Sequence, residues 1–448
     1  MHPRNPYRSA PEFRSLADAY PPLQPYLLNT RNGASIDFQD EAAQSRRLTE
    51  AILLRDFKLT IDIPEDRLCP PVPNRLNYIL WLQDVLDVTC LTEHLVADRT
   101  IRGVDVGTGA SAIYPLLGCR SDPRWVFVAT DIDERSLEYA QRNVRRNDLY
   151  RRISVVRSDP AGPILSHVLS EHSSISVFDF TMCNPPFYSS KEDVQRSAET
   201  KEYQPNAVCT GADVEMITSG GEVAFVRKMV RESLELRSRC RWFTSMLGRL
   251  SSLAEIIALL REHQIDNYAV TEFVQGQTRR WAIAWSFGDV HLPDAIARIS
   301  NPSVHSLMPA HNTVQQVYPE GTSLEGLLAA VASALATIDG VSFRPLKPRP
   351  PHSSPLAPCL DALVSATGDT WSRAARRRRM REETMEVDRE AAPTLVCRVI
   401  CATHMGGGSE GAGLQCHWVR GRDRGLFGSF ASHLSRKVYA ALSTSSQE

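Results

Sequence analysis

The stretch Asp179-Phe-Thr-Met-Cys-Asn-Pro-Pro-Phe-Tyr188 constrains the fold of this chain more than any other. Val177, Phe178 and Phe180 read as the end of a buried strand, and Asn184-Pro185-Pro186-Phe187 follows at once. Proline has no N–H for the ladder and cannot continue a central strand. The chain must therefore leave its sheet here, at the C-terminal edge where open α/β sheets bind ligands. The Asn184 side-chain carbonyl and the Pro185 backbone carbonyl can each accept one N–H of a planar exocyclic amine. Phe187 offers a ring for a base to stack on. Asn-Pro-Pro is also an ordinary turn composition, so residues upstream must decide between the two.

They point to a cofactor. Residues 100–106 alternate into a strand, and Gly107-Thr-Gly109 turns that strand into a helix. Gly107 and Gly109 let the backbone approach a ligand, and the helix that follows presents free N–H groups. The next strand ends at Asp131, 22 residues after Gly109, where an acid meets ribose hydroxyls in nucleotide-binding βαβ units. The loop lacks the third glycine of dinucleotide fingerprints. That favours S-adenosylmethionine, with a carboxylate and a sulfonium but no pyrophosphate, over NAD.

Length and charge bound the rest. A chain of 448 residues can hold two or three domains, and 42% hydrophobic content supports a sizeable core. Basic and acidic residues number 51 and 52, so any RNA surface must come from local clustering. The 10 cysteines show no short-spaced framework, which reads as a reduced, intracellular protein. No stretch reaches the roughly 18–20 apolar residues of a membrane span, and no membrane partner is expected. Cys397, Cys401, His404, Cys416 and His417 could suggest zinc, but strand cysteines are usually core, and no metal is expected.

Four regions follow. Residues 1–35 form an arm rich in Pro, Arg and aromatics, whose Arg4, Arg8 and Arg14 could lie along a phosphate backbone. Residues 36–288 carry helices over 37–56 and 75–91, an extended piece at 59–63, and an alternation of strands and helices that completes seven strands. Within them, 189–222 is a long loop at the active edge. A hairpin tip at 275–281 puts Arg279 and Arg280 beside Trp281 for phosphate and base contacts. Residues 289–323 read as a linker. Residues 324–442 read as a small α+β module: a helix over 324–338, a strand at 341–345, a Pro-rich insertion, a helix over 359–381, strands at 394–403 and 414–419, and a last helix. The 359–381 helix ends in an arginine run including Arg376, Arg377, Arg378 and Arg379, read as an RNA contact with nuclear import as a second role.

The motifs together resemble one family. They are Met1-His-Pro-Arg-Asn5, Asp62-Ile-Pro64, Pro73-Asn-Arg-Leu-Asn-Tyr-Ile79, Gly107-Thr-Gly-Ala-Ser111, Tyr114-Pro-Leu-Leu-Gly118, Met182-Cys-Asn-Pro-Pro-Phe187, Arg241-Trp242, Met246-Leu-Gly248 and Thr271-Glu-Phe273. In this order they are similar to the methyltransferase-like protein 16 family over residues 1–288. That family makes N(6)-methyladenosine in U6 small nuclear RNA and in certain messenger RNA hairpins or splice sites, and bacterial relatives modify ribosomal RNA.

The resemblance implies an α/β fold: a seven-stranded Rossmann-like S-adenosylmethionine-dependent methyltransferase domain with an N-terminal extension, plus the C-terminal module. It implies Asn184, Pro185, Pro186 and Phe187 as the catalytic pocket. Arg75, Gly107, Gly109, Ser111, Asp131 and Asn184 become cofactor contacts, and the 197–210 loop, the 248–252 turn and the 275–281 hairpin become RNA contacts. It further implies a nuclear protein, also cytoplasmic, that works as a monomer on U6 RNA or messenger RNA hairpins. Family members often carry a C-terminal RNA-binding module related to kinase-associated-1 domains, which 324–442 could match. One departure stands out: the family often has Lys and Met near positions that are Ala161 and Leu165 here, which bears on whether a gating loop is shared. A protein-glutamine methyltransferase, a ribosomal RNA adenine methyltransferase and a non-catalytic RNA-binding protein are the rival readings.

Overall fold

The structure, a computed structural model, describes residues 1–30, 33–36, 46–92, 99–171, 177–199, 212–276, 278–318, 321–346, 360–375, 377, 392–403 and 412–445. The chain divides into two compact units: residues 1–86, 96–288 and 298–309, and residues 87–95, 289–297 and 310–448.

The first unit opens with helix α1 (Phe13–Ala19) and a small hairpin of β1 (Leu27–Thr30) and β2 (Gly33–Ile36). Helices α2 (Leu48–Phe57) and α3 (Val72–Thr92) follow. Then come β3 (Ile101–Val106), α4 (Ile113–Ser121), β4 (Trp125–Asp131), α5 (Glu134–Arg146), β5 (Ile153–Arg157), α6 (Ser166–Glu171) and β6 (Phe178–Cys183). Short α7 (Lys191–Glu199) and α8 (Asp213–Met216) precede α9 (Gly221–Leu236), β7 (Cys240–Leu247), α10 (Leu250–Glu262), β8 (Tyr268–Gln275) and β9 (Thr278–Trp285).

The expected seven-stranded sheet is present, in the order β5-β4-β3-β6-β7-β9-β8. Strands β3 to β7 run parallel, and β9 is antiparallel to both neighbours. A parallel sheet covered on both faces demands continuous apolar strands, and every residue of β6 is buried. Close packing fixes one glycine: a Cβ at Gly103 would fall 2.4 Å from the Phe180 ring. Helix α5 is held on the sheet by Leu137, Ala140 and Val144, and the Asp133 carboxylate caps it by accepting from Ser136 N–H.

The 59–63 segment makes no strand ladder. It is instead clamped by two asparagines of α5. Asn147 accepts from Thr60 N–H at 2.9 Å and Asn143 from Asp62 N–H at 2.7 Å, and both amides donate back to the same segment. The N-terminal arm is also tied down. Arg4, expected on a phosphate backbone, donates to Asp84 at 2.6 Å, to the Leu80 carbonyl at 2.9 Å and to Gln83 at 3.0 Å. Its fork of donors is taken up by α3.

The second unit departs from expectation at two places. Its five-stranded antiparallel sheet has the order β10-β14-β13-β12-β11, with β10 (Thr313–Val317), β11 (Val341–Pro345), β12 (Leu360–Ala366), β13 (Leu395–Thr403) and β14 (Ala412–Gly421). Helices α12 (Leu324–Ala336) and α13 (Arg424–Ser445) supply Leu327, Val331, Phe430 and Leu434 to its core. The stretch read as a linker, 289–323, contributes β10 to this sheet and a short helix, α11 (Asp294–Ala297). Thr-Val-Gln-Gln-Val is too polar to announce a strand, which suits an edge position. The 359–381 helix is corrected as well: Leu360–Ala366 is a strand paired on both sides. Leu-Asp-Ala-Leu-Val-Ser-Ala is helix-tolerant by composition, and pairing overrides that weak preference.

Cys397, Cys401 and Cys416 lie in the core of this unit, while His404 falls outside the described residues. Arg377 is exposed, and Arg376, Arg378 and Arg379 lie outside the described residues. No described helix is long and apolar enough to cross a membrane.

Candidate active site

The C-terminal ends of β3, β4, β5 and β6 open on a cavity of about 300 Å³, within the ordinary range for a small-molecule site. Its walls bring together Arg75, Gly107, Gly109, Ser111, Asp131 and Asn184–Pro186, which lie far apart in the chain. Gly107 and Gly109 have φ of 73° and 63°, a region L side chains avoid. A Cβ at Gly107 would meet nothing within 4 Å, so the backbone there is left open to a ligand.

Asp131 ends β4 and is tied into the glycine loop. Its Oδ2 accepts from Gly109 N–H at 2.8 Å and its Oδ1 from Asp133 N–H at 3.0 Å. Burial raises its pKa, and the backbone N–H groups offset part of that rise. Each oxygen keeps a lone pair for a hydroxyl donor. Arg75 is buried in the cavity wall, where Nη1 donates to the Tyr114 hydroxyl at 3.2 Å and the guanidinium lies 5.6 Å from the ring centroid.

Asn184 is the decisive residue. Its side-chain oxygen is buried and has no hydrogen-bond donor among the described residues. A buried acceptor left unmade costs about 1–3 kcal/mol, which a ligand amine in the cavity would relieve. Phe187 stands next to it, against Gly248 and with the Arg280 guanidinium 5.2 Å from its ring centroid. Gly248 and Arg249 are in turn held by buried Glu222, which accepts from their N–H groups at 2.6 and 3.1 Å.

Several site residues escaped the sequence reading. Glu215 lines the cavity and accepts from the N–H groups of Leu68 and Ala212 at 2.9 and 3.0 Å. Glu232 of α9 accepts from the N–H groups of Ile164, Leu165 and Ser166 and so pins the segment after β5. Lys228, also on α9, reaches the Gly162 carbonyl at 2.5 Å. No local motif marks these three, because each acts across a long sequence separation. Asp105 did carry a signal, as the acid inside Gly103-Val-Asp-Val-Gly107. It is fully buried, neither oxygen has a hydrogen-bond partner of good geometry among the described residues, and burial pushes its pKa up to about 7. The Thr108 hydroxyl offsets part of that rise.

At the sequence departure, Leu165 is fully buried and Ala161 N–H bonds Asp159 at 2.9 Å, so neither projects a polar group. Of the candidate RNA contacts, Arg8 is exposed, Arg14 bonds Asn29 at 3.2 Å, and Arg279 pairs loosely with Glu272 at 3.4 Å. Residues 200–210 of the expected RNA loop lie outside the described residues.

A family profile described as RNA methyltransferase matches residues 1–289. The chain belongs to that family. Among its RNA methyltransferase relatives, the Schizosaccharomyces pombe U6 small nuclear RNA (adenine-(43)-N(6))-methyltransferase is 35% identical over 410 residues, covering 92% of this chain and 96% of the relative. Mouse RNA N(6)-adenosine-methyltransferase METTL16 is 42% identical over 295 residues, covering 64% and 52%. The chain thus spans about half the length of the vertebrate relatives it matches. Among solved structures, the hMettl16 catalytic domain in complex with MAT2A 3'UTR hairpin 6 matches with a TM-score of 0.57 at 40% identity, covering 64% of this chain and 98% of that one. The N-terminal domain of human METTL16 in complex with SAH matches with a TM-score of 0.53 at 40% identity, covering 64% and 99%.

Proposed function

We propose that this RNA methyltransferase family member is an RNA N(6)-adenosine methyltransferase. It moves a methyl group from S-adenosylmethionine to the exocyclic amine of an unpaired adenosine in structured RNA. Its target is U6 small nuclear RNA, with messenger RNA hairpins as further substrates, and its place of action is the nucleus. The observation that carries the reading is the buried Asn184 oxygen, unpartnered among the described residues, at the edge of a nucleoside-sized cavity. The U6 relative that matches along nearly the whole chain supports the target.

The cavity suits the cofactor: Asp131 for ribose hydroxyls, the Gly107–Gly109 backbone for close approach, and Arg75 for a carboxylate. When bound, S-adenosylmethionine supplies the electrophilic methyl. The chain's own contribution is positioning. An adenine amine is a weak nucleophile because its lone pair is delocalised into the ring. Asn184 and the Pro185 carbonyl accept its two N–H bonds and favour the pyramidal amine. Phe187 holds the base by stacking. The proton of the cationic product amine passes to solvent, so no dedicated base is required. The base must first leave its stack, at about a few kcal/mol unless already unpaired.

The test is incubation of the full chain with labelled cofactor and U6 transcripts, a messenger RNA hairpin, ribosomal RNA fragments and a glutamine-bearing peptide. Label at one adenosine of U6, absent when that adenosine is replaced by guanosine, is the expected result. Label in ribosomal RNA alone, or in the peptide, would replace the proposed target.

A further inference from the structure

At the opposite edge of the same sheet lies a basic surface that the methyl-transfer site does not use. The N-terminal ends of β4 and β5 are preceded by the last turns of α4 and α5 and the connections that follow them, which together carry six arginines (Arg120, Arg124, Arg145, Arg146, Arg151 and Arg152) against Asp122 and Asp148. In a chain with net charge −1 that is a marked local excess. Hydrogen bonds join the two connections. Arg120 reaches the Asn147 carbonyl at 3.2 Å, and Arg152 reaches the carbonyls of Trp125 and Asp122, each at 2.8 Å. Arg124 is neutralised by Asp122, which it grips at 2.6 Å. Among the described residues, exposed Arg145, Arg146 and Arg151 have no carboxylate partner.

The plainest account is that basic residues in the last turn of α5 complement its dipole. That covers Arg145 and Arg146, but not Arg151 or Arg152 beyond the helix. Nor does it cover Tyr150, which is 57% exposed with the Arg151 guanidinium 5.9 Å from its ring centroid. An exposed aromatic ring beside free guanidinium groups is the combination that stacks a base and tracks a phosphate backbone.

We infer that this edge is a second RNA-binding surface, engaging the phosphates and an unpaired base of the RNA that flanks the methylated adenosine. The inference rests on RNA being the substrate. β4 spans seven residues between this edge and the cavity, about 20 Å at strand rise. Only an RNA that extends at least that far from the flipped base can touch both.

The experiment compares the full chain with the Arg145→Gln/Arg146→Gln/Arg151→Gln variant. Affinity is measured across a salt series for a short hairpin holding the target adenosine and for the same hairpin with a long flanking strand. All three side chains are exposed, so the variant is expected to keep its thermal midpoint. On the extended RNA the slope of log affinity against log salt should fall by about two to three, at roughly 0.7–0.9 per phosphate lost. On the short hairpin the two proteins should match. Tyr150→Ala should weaken the extended RNA about ten-fold with the slope unchanged, because stacking releases no counterions. Identical slopes on the extended RNA would overturn the inference. So would loss of binding to phosphatidylserine vesicles with RNA slopes intact, which would assign the edge to a membrane surface. These are binding slopes, so they stay readable even if the wild-type protein methylates no RNA, a result that would sink the proposed function instead.

Discussion

Gly248 and Phe187 touch so closely that a Cβ at Gly248 would lie 2.8 Å from Phe187 Cδ1 and 3.2 Å from Glu222 Oε2. The turn after β7 thus sets the position of a ring on another strand's exit loop. Gly248→Ala should displace the ring by a few tenths of an ångström or more. Misplacement near reacting atoms can cost about 100-fold. Single-turnover methyl transfer should fall by about that factor, while cofactor affinity by calorimetry stays unchanged. Full activity would mean that the ring does not hold the base.

Asn184→Ala removes the unpartnered acceptor. Loss of one preorganised polar contact to a reacting group costs about 100- to 1000-fold in rate. RNA affinity should stay within about three-fold, because it is spread over many phosphates. Retention of most of the turnover would remove Asn184 from the chemistry.

Asp131→Ala should weaken S-adenosylmethionine binding about ten- to hundred-fold, the range for losing a hydrogen bond to a charged group. The Gly109 N–H loses its acceptor at the same time. Calorimetry on the RNA-free protein decides it. Unchanged affinity would hand the ribose to Glu215, the other carboxylate on the cavity wall.

Asp105 makes stability depend on pH. Burial pushes its carboxyl up to about 7, from near 4 in an unfolded chain. Between those values the folded protein holds a proton that the unfolded chain has lost. The stabilisation is therefore complete below pH 4 and is lost as pH rises through 7, by up to about 1.4 kcal/mol per unit. Asp105→Asn abolishes this slope, so the variant gains on the wild type from pH 5 to pH 8. Denaturant midpoints followed by tryptophan fluorescence check it. Parallel pH profiles would show that Asp105 stays ionised in the fold.

The edge that holds the cavity was legible because its signals are local and chemically forced. Prolines must end β6 where they stand, and the strained loop needs glycine at 107 and 109. Asp131 closes β4 at a fixed interval, and the strands alternate with helices in the expected sequence up to β8, which pairs with β9 as the expected hairpin. The second unit was less legible. β10 is a polar edge strand, and β12 has a composition that suits a helix equally well. For both, pairing with chain far away supplied the energy that local preference lacked.

The sequence by itself determined the succession of strands and helices along the chain, the cavity's glycines and acid, and the Asn-Pro-Pro-Phe motif proposed to meet the amine, because each is written within a few consecutive residues. Only the tertiary structure decided that Arg4 is spent on Asp84, that Glu232 pins the segment after β5, and that Gly248 makes room for Phe187. Those are contacts between groups dozens of residues apart. Their energies depend on distance and burial, which no local pattern encodes.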